Sequence, residues 1–257
     1  MSRKKVLITG ASGLIGGLVI SQLGDKYEFS GLSRRPVEAI PHLQADIVDA
    51  AAIRPAFEGI DTVLHLAAAN GEDQVLDWPA TMAITVQGTL NVYEAAREAK
   101  VQRVIHMSSG CTQLAYEWDD TLPYGTLANG PDDQIPDSWE MVDLDWPVRP
   151  DSPYAVGKIF GEVLGRYYAD KYGISTLAIR LGAVLADDRP EIRRHLPGYL
   201  SQADCVQMID KCISAADDLK FDIFNAISEN KYRWRKTEHT KEVLHWQPSG
   251  CAEDRIG

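Results

Sequence analysis

The sequence contains no apolar run near the ~20 residues that cross a bilayer as a helix, which argues against a transmembrane helix. Cysteine is scarce: Cys111, Cys205, Cys212 and Cys251 are scattered, with no CxxC pair and no Cys/His cluster. That spacing fits reduced thiols and argues against both a disulfide framework and a metal site. Positive charge is also short, with 26 Lys+Arg against 37 Asp+Glu and a formal net charge of −11. Nucleic acid and anionic membranes recruit basic surface, so neither is expected as a partner. The opening "MSRKKVLITG" enters a β-rich run directly, without the apolar core of a signal peptide. A cytoplasmic protein is the expectation.

What is present is an α/β pattern. At 257 residues with 45% hydrophobic content, the chain suits one domain with a small appendage. Short β-rich runs alternate with helical patterns, which predicts a doubly wound parallel sheet covered on both faces. Strands are expected at "KVLIT", "YEFSGLS", near "HLQAD", at "TVLHLAA", "RVIHMSS", "STLAIRLG" and "FDIFNAI". One long helix is expected over Pro79 to Lys100 and another over Pro153 to Tyr172. Later helices are expected after "SQAD", where Ser201 and Asp204 could open one, and over Arg235 to His245. Residues 1–182 are read as the nucleotide-binding domain, and 183–257 as a small C-terminal substrate region partly interleaved with the sheet. Residues 111–152 stand apart, rich in Pro, Gly and Asp and without a sustained period. Tyr116, Trp118, Tyr124, Trp139 and Trp146 favour an ordered loop that packs, and it could close over a substrate.

"TGASGLIG" follows the first strand and opens the first helix. Gly10 would permit the tight turn, Gly13 the approach of a pyrophosphate, and Gly16 close helix–strand packing. Ser12, Leu14 and Ile15 lie between them as cofactor contacts, and the phosphates would sit at the positive helix end. An NAD site usually carries an acidic residue at the tip of the second strand. Here that tip reads "LSRRP", and Ser33, Arg34 and Arg35 suit the 2′-phosphate of NADP(H) over NAD(H). Glu28 would take the acidic role only if the strand end were misplaced. Asp46 and Ile47, after the third strand, would lie beside the adenine, and Leu66, Ala67 and Ala68 after the fourth complete the expected cofactor contacts.

Tyr154 and Lys158 sit four apart in "SPYAVGKIFGE", one turn apart on one helix face. An unperturbed phenol has a pKa of ~10 and is a poor base at neutral pH. One ammonium at ~4 Å is worth about the ~4 kcal/mol needed to bring it near 7. Tyr154 is therefore the expected general acid/base and Lys158 its activator, both also touching the cofactor. The preceding strand ends in "MSSG", placing serine hydroxyls where α/β ligands bind.

"TGASGLIG", "HLAA", "MSSG", "YAVGK" and "RLGAV" occur in this order, and the chain resembles the extended short-chain dehydrogenase/reductases of the NAD-dependent epimerase/dehydratase family. Within it the chain is most similar to compact uronate dehydrogenase-like members. The resemblance implies a Rossmann-type sheet, Tyr154 as acid/base, Lys158 contacting the nicotinamide ribose and Ser109 positioning substrate. Ser108 and Thr112 are alternatives for the serine. It also implies substrate contacts at Asn70, Ser109, Cys111 and Thr112, and at Arg194, which would meet the substrate's acidic or polar end. Departures are Asn70 and Ala183 where sugar-binding serines are expected, and Thr85 in place of an asparagine. The short C-terminal region argues for a small sugar, sugar acid or related carbonyl compound. The expected activity is NADP(H)-dependent hydride transfer by a Ser-Tyr-Lys mechanism. The alternatives are a sugar epimerase or isomerase that retains its cofactor, and a non-catalytic NADP(H) sensor. The same likeness suggests a homodimer pairing the two long helices.

Overall fold

The computed structural model describes residues 3–69 and 75–255. The strand β1 (Lys5–Thr9) buries every residue after Lys5, as a central parallel strand covered on both faces must. Its side chains alternate between two cores: Val6 and Ile8 join Ile105, Met107, Leu177 and Ile179, while Leu7 joins Val63, Val92 and Val104. Next come α1 (Leu14–Leu23), β2 (Glu28–Ser33), β3 (His42–Gln44), α2 (Ala50–Ile53) and β4 (Thr62–His65). β5 (Arg103–Ser109), β6 (Ser175–Leu181) and β7 (Phe221–Ala226) complete a parallel sheet of order β3-β2-β1-β4-β5-β6-β7. The winding reverses between β1 and β4, which opens a crevice at their carboxyl ends. This is the doubly wound, Rossmann-type architecture.

The long helix expected over Pro79 to Lys100 is present and runs without interruption from Trp78 to Glu98, but it is not uniform. It begins as α3 (Trp78–Ala80), passes through a π-helical stretch at Thr81–Gln87, and continues as α4 (Gly88–Glu98). The buried threonines Thr85 and Thr89 carry side-chain bonds in and beside the π-helical stretch. Thr89 Oγ1 donates to the Thr85 carbonyl at 2.5 Å, and the Ala69 amide donates to Thr85 Oγ1 at 3.1 Å. Side-chain bonds of this kind compete with the helix's own. β4 is also shorter than expected: the Leu66 amide still donates to the Thr9 carbonyl at 3.1 Å, but the Ala67 amide turns to the Thr9 hydroxyl at 3.4 Å.

The segment 111–152 is ordered, as its aromatics suggested. It holds a 3₁₀ helix (Gly110–Trp118), α5 (Tyr124–Asn129) and a short 3₁₀ turn (Asp132–Gln134). Tyr116, Tyr124, Leu127 and Val142 form a separate core with Trp234, on which Tyr124 stacks at 4.8 Å. The Val142 amide donates to the Trp234 carbonyl at 2.7 Å, and the Lys236 amide to the Val142 carbonyl at 2.9 Å.

α6 (Pro153–Tyr172) carries its own start and stop signals. Ser152 Oγ accepts from the Ala155 amide at 3.3 Å, Pro153 opens the first turn, and Gly173 ends the helix at φ 72°. α7 (Gln202–Ser214) begins at Ser201, whose hydroxyl accepts from the Asp204 amide at 3.1 Å, and α8 (Glu238–Leu244) closes the helices.

Candidate active site

Between β1 and α1 the backbone itself makes the cradle. Gly10 has φ +73°, and a Cβ there would stand 2.9 Å from the Ala67 nitrogen. One at Gly16 would lie 2.4 Å from the Ala11 carbonyl oxygen. Only glycine fits either place, so the helix settles directly onto the turn. Gly13, extended at the N-cap, offers α1 no side-chain cap, leaving first-turn N–H groups for a ligand. A cavity of about 960 Å³ runs from this cradle along the crevice. Gly10, Ser12, Gly13, Leu14, Ile15 and Gly16 line it from the turn. Ser33, Arg34 and Arg35 line it from the tip of β2, Asp46 and Ile47 from beyond β3, and Leu66, Ala67 and Ala68 from beyond β4. Leu32, Ala45, Ile84 and Val184 also line it. Ile84 and Val184 carried no sequence signal, because they arrive from the π-helical stretch and from beyond β6.

At the β2 tip the two arginines are exposed beside the cavity, and Arg35 Nη2 donates to the Ser12 carbonyl at 3.3 Å. Ser33 is buried, and its hydroxyl donates to the Arg35 carbonyl at 2.7 Å and meets His42 Nε2 at 2.9 Å. That hydroxyl shapes the strand end, which leaves a phosphate grip to the guanidiniums. Glu28 pairs with Lys5 at the opposite end of β2, far from the crevice.

α6 brings Tyr154 and Lys158 together. Tyr154 is partly exposed, Lys158 is 1% exposed, and the Lys158 Nζ lies 5.4 Å from the Tyr154 ring centroid. Beneath them, His106 Nε2 lies 3.3 Å from the Lys158 carbonyl oxygen, and the His65 and His106 rings are 5.8 Å apart. Burial drives both imidazoles toward their neutral forms, His106 down to about 3. Burial also pushes the Lys158 amine down to about 7.

The Tyr154 phenol rises instead of falling. Burial is the main cause, Cys111 and Asp151 add to it, and the Ser109 hydroxyl opposes it. Burial thus opposes the ionisation that the Tyr154–Lys158 spacing led us to expect. The amine lies over the ring face, and desolvation leaves it only partly protonated near pH 7.

Three hydroxyls were candidates beside Tyr154, and the structure separates them. Ser108 is buried and donates to Glu162 Oε1 at 2.6 Å, while Arg180 forks onto the same carboxylate at 2.9 and 2.8 Å. Thr112 is fully buried and donates to the Ser109 carbonyl at 2.9 Å, so its placement against a substrate is corrected too. Ser109, partly exposed at the end of β5, accepts from the Cys111 amide at 3.2 Å and its hydroxyl faces Tyr154. Cys111 is partly buried, with its thiol pushed up first by burial and then by Asp151. Arg194 donates through Nε to Glu117 at 3.1 Å. Asn70 lies outside the described residues. Glu117, Asp151 and Arg235, which also surround this corner, were not singled out from the sequence.

Residues 6–212 match the NAD dependent epimerase/dehydratase family. The chain belongs to this family. Among curated relatives of this family member, an L-arabinose 1-dehydrogenase (NAD(P)(+)) from Haloferax volcanii is 31% identical, covering 95% of this chain and 96% of the relative. A uronate dehydrogenase from Pseudomonas putida is 29% identical, covering 97% and 85%. Among solved structures, a uronate dehydrogenase from Agrobacterium tumefaciens superposes with a TM-score of 0.80 at 28% identity, covering 99% and 87%.

Proposed function

We propose that this epimerase/dehydratase-family member is an NAD(P)-dependent dehydrogenase of a small sugar or sugar acid, preferring NADP(H) and working through Ser109, Tyr154 and Lys158. The carrying observation is a partly exposed tyrosine with a buried lysine against its ring and a serine hydroxyl beside it, on the sheet edge that holds the glycine cradle. The cradle fits a dinucleotide, since Gly10 and Gly16 leave no room for a Cβ and α1 starts uncapped. Gly10, Ser12, Gly13, Leu14, Ile15 and Gly16 would hold its phosphates, Asp46 and Ile47 its adenine, and Leu66 to Ala68 its middle. When bound, the nicotinamide supplies the hydride acceptor or donor and, oxidised, a positive charge.

The chain's own groups handle the proton. Ser109 donates to the substrate oxygen and fixes its position. Tyr154 takes the hydroxyl proton on oxidation and returns it on reduction. Lys158 adds positive charge against the phenolate that forms and reaches the nicotinamide ribose. The buried Ser108–Glu162–Arg180 network ties β5 and β6 to α6, which holds the serine and tyrosine in register.

Purified protein offered aldoses, uronates and small ketones with each cofactor, followed by absorbance of the reduced nicotinamide, tests the reading. Absence of turnover with every pair removes it. For the cofactor preference, Arg34→Ala weakens NADPH by ~10-fold and NADH by no more than about 3-fold, as expected for a charged contact at an exposed site. Equal losses in the two dissociation constants would show that no 2′-phosphate sits there.

The pairing as a homodimer draws support from Val156, Val163, Tyr167 and Met82, apolar side chains left exposed on α6 and the π-helical stretch. Sedimentation at micromolar concentration should give twice the chain mass, and Val163→Glu should halve it; a monomer in both cases removes the pairing.

A further inference from the structure

The corner of the site beside Tyr154 is already charge-balanced by the chain itself. Arg194 is the cation that the family likeness assigns to a substrate's acidic or polar end. Its Nε donates to Glu117 Oε2 at 3.1 Å, and its Nη2 lies 3.8 Å from Asp151 Oδ2. The two carboxylate side chains are only 4% and 14% exposed, against 41% for Arg194. They are fixed walls, and the arginine lies across them.

A second guanidinium stands behind. Arg235 is 3% exposed, and a Cβ on Gly110 would fall 2.0 Å from its Nη1. Its Nε and Nη1 have no hydrogen-bond partner among the described residues. Cys111 feels the charges of Asp151, Arg235 and Arg194, and Tyr154 feels those of Cys111 and Asp151. Asp151, three residues before Tyr154, links this cluster to the reacting hydroxyl through its contact with Arg194.

Two carboxylates against two guanidiniums leave this corner neutral. A uronate or sugar phosphate arriving here would face Glu117 and Asp151. Even on the N–H groups of Arg194 that remain, its charge would lie close to both carboxylates in a part-buried site, which is unfavourable. An uncharged aldose brings hydroxyls alone. These can donate to the carboxylates and accept from the N–H groups of Arg194, which is 41% exposed.

Resting on the sugar dehydrogenase reading above, we infer that the substrate is an uncharged aldose, and that Glu117 and Asp151 reject anionic sugars by occupying Arg194. The two acids are specificity-determining groups, and Arg194 serves them before it serves any substrate anion.

The test measures kcat/KM for neutral aldoses (arabinose, xylose, galactose, glucose), for galacturonate and glucuronate, and for glucose 6-phosphate, with the preferred cofactor. The best neutral aldose is expected to exceed the best anion by at least about 10-fold, given the several-fold energetic weight of like charges in a part-buried site. Glu117→Gln and Asp151→Asn each move that ratio toward the anions by about 10-fold. Glu117→Asp, which keeps the charge, leaves the preference in place. Asp151→Asn serves as the independent arm if the buried Glu117→Gln variant fails to fold. A wild-type preference for a uronate or sugar phosphate, or an unchanged ratio in the folded neutral variants, overturns this inference and leaves the dehydrogenase reading standing. No turnover of any sugar with either cofactor removes both.

Discussion

Tyr154→Phe is expected to lower turnover by ~10³-fold or more while leaving NADPH affinity within a few-fold. General acid–base catalysis by one side chain is worth about 10² to 10⁴, and the neighbouring hydroxyl, imidazole and thiol groups among the described residues are poorly placed to take over the role. Ser108 and Thr112 spend their hydroxyl protons on Glu162 and on the Ser109 carbonyl. The buried imidazoles of His65 and His106 favour the neutral state, and the Cys111 thiol is pushed up. Phenylalanine keeps the ring over which Lys158 packs at 5.4 Å, so only the acidic proton is removed. Steady-state rates with the best substrate, paired with NADPH titration by fluorescence, separate chemistry from binding. Turnover near the wild-type level would remove Tyr154 as the acid/base. Its phenol is held up in the ligand-free chain by burial.

Lys158→Met should also inactivate the enzyme, yet make the ligand-free protein more stable near pH 6. The amine falls from its ordinary 10.5 to about 7, and burial is the sole cause. Below pH about 7 both folded and unfolded chains hold the proton, and the folded state bears the full penalty of a buried ammonium. Between about 7 and 10.5 the unfolded chain binds the proton that the folded chain has released, so wild-type stability climbs with pH. Above that window both states are neutral and the penalty is gone. That lowering corresponds to ~5 kcal/mol, and methionine, unbranched and adaptable, fills the same channel without it. The gain from Lys158→Met is therefore largest near pH 6 and fades toward about pH 10. Urea unfolding at the two ends of that range, with no nucleotide present, decides the matter. A gain independent of pH would mean that the amine bears no such burial penalty. A stability penalty retained at an essential position is the usual sign of a group kept for chemistry.

Much of this site could be read along the chain because its parts are local. Strand β5 ends at Ser109 and α6 runs from Pro153 to Tyr172 as the patterning predicts, and the Tyr154–Lys158 spacing needs only a helix to bring the two together. The glycine cradle is equally local, since its steric demands act within one turn. The π-helical stretch was less visible: there Thr85 meets the Ala69 amide, and Gly157 leaves room for the Thr85 methyl of a neighbouring helix.

From its residues alone, then, the chain settled its strand order of appearance, its glycine cradle and the helix that carries Tyr154 and Lys158, because each follows from periodicity, capping and φ preferences over a few residues. Which serine faces Tyr154, which way the phenol and amine titrate, and what Arg194 is bonded to were decided only by the fold. Glu117 and Arg194 lie 77 residues apart in sequence. Desolvation and Coulomb interactions depend on what surrounds a group in space, and no local pattern records those neighbours.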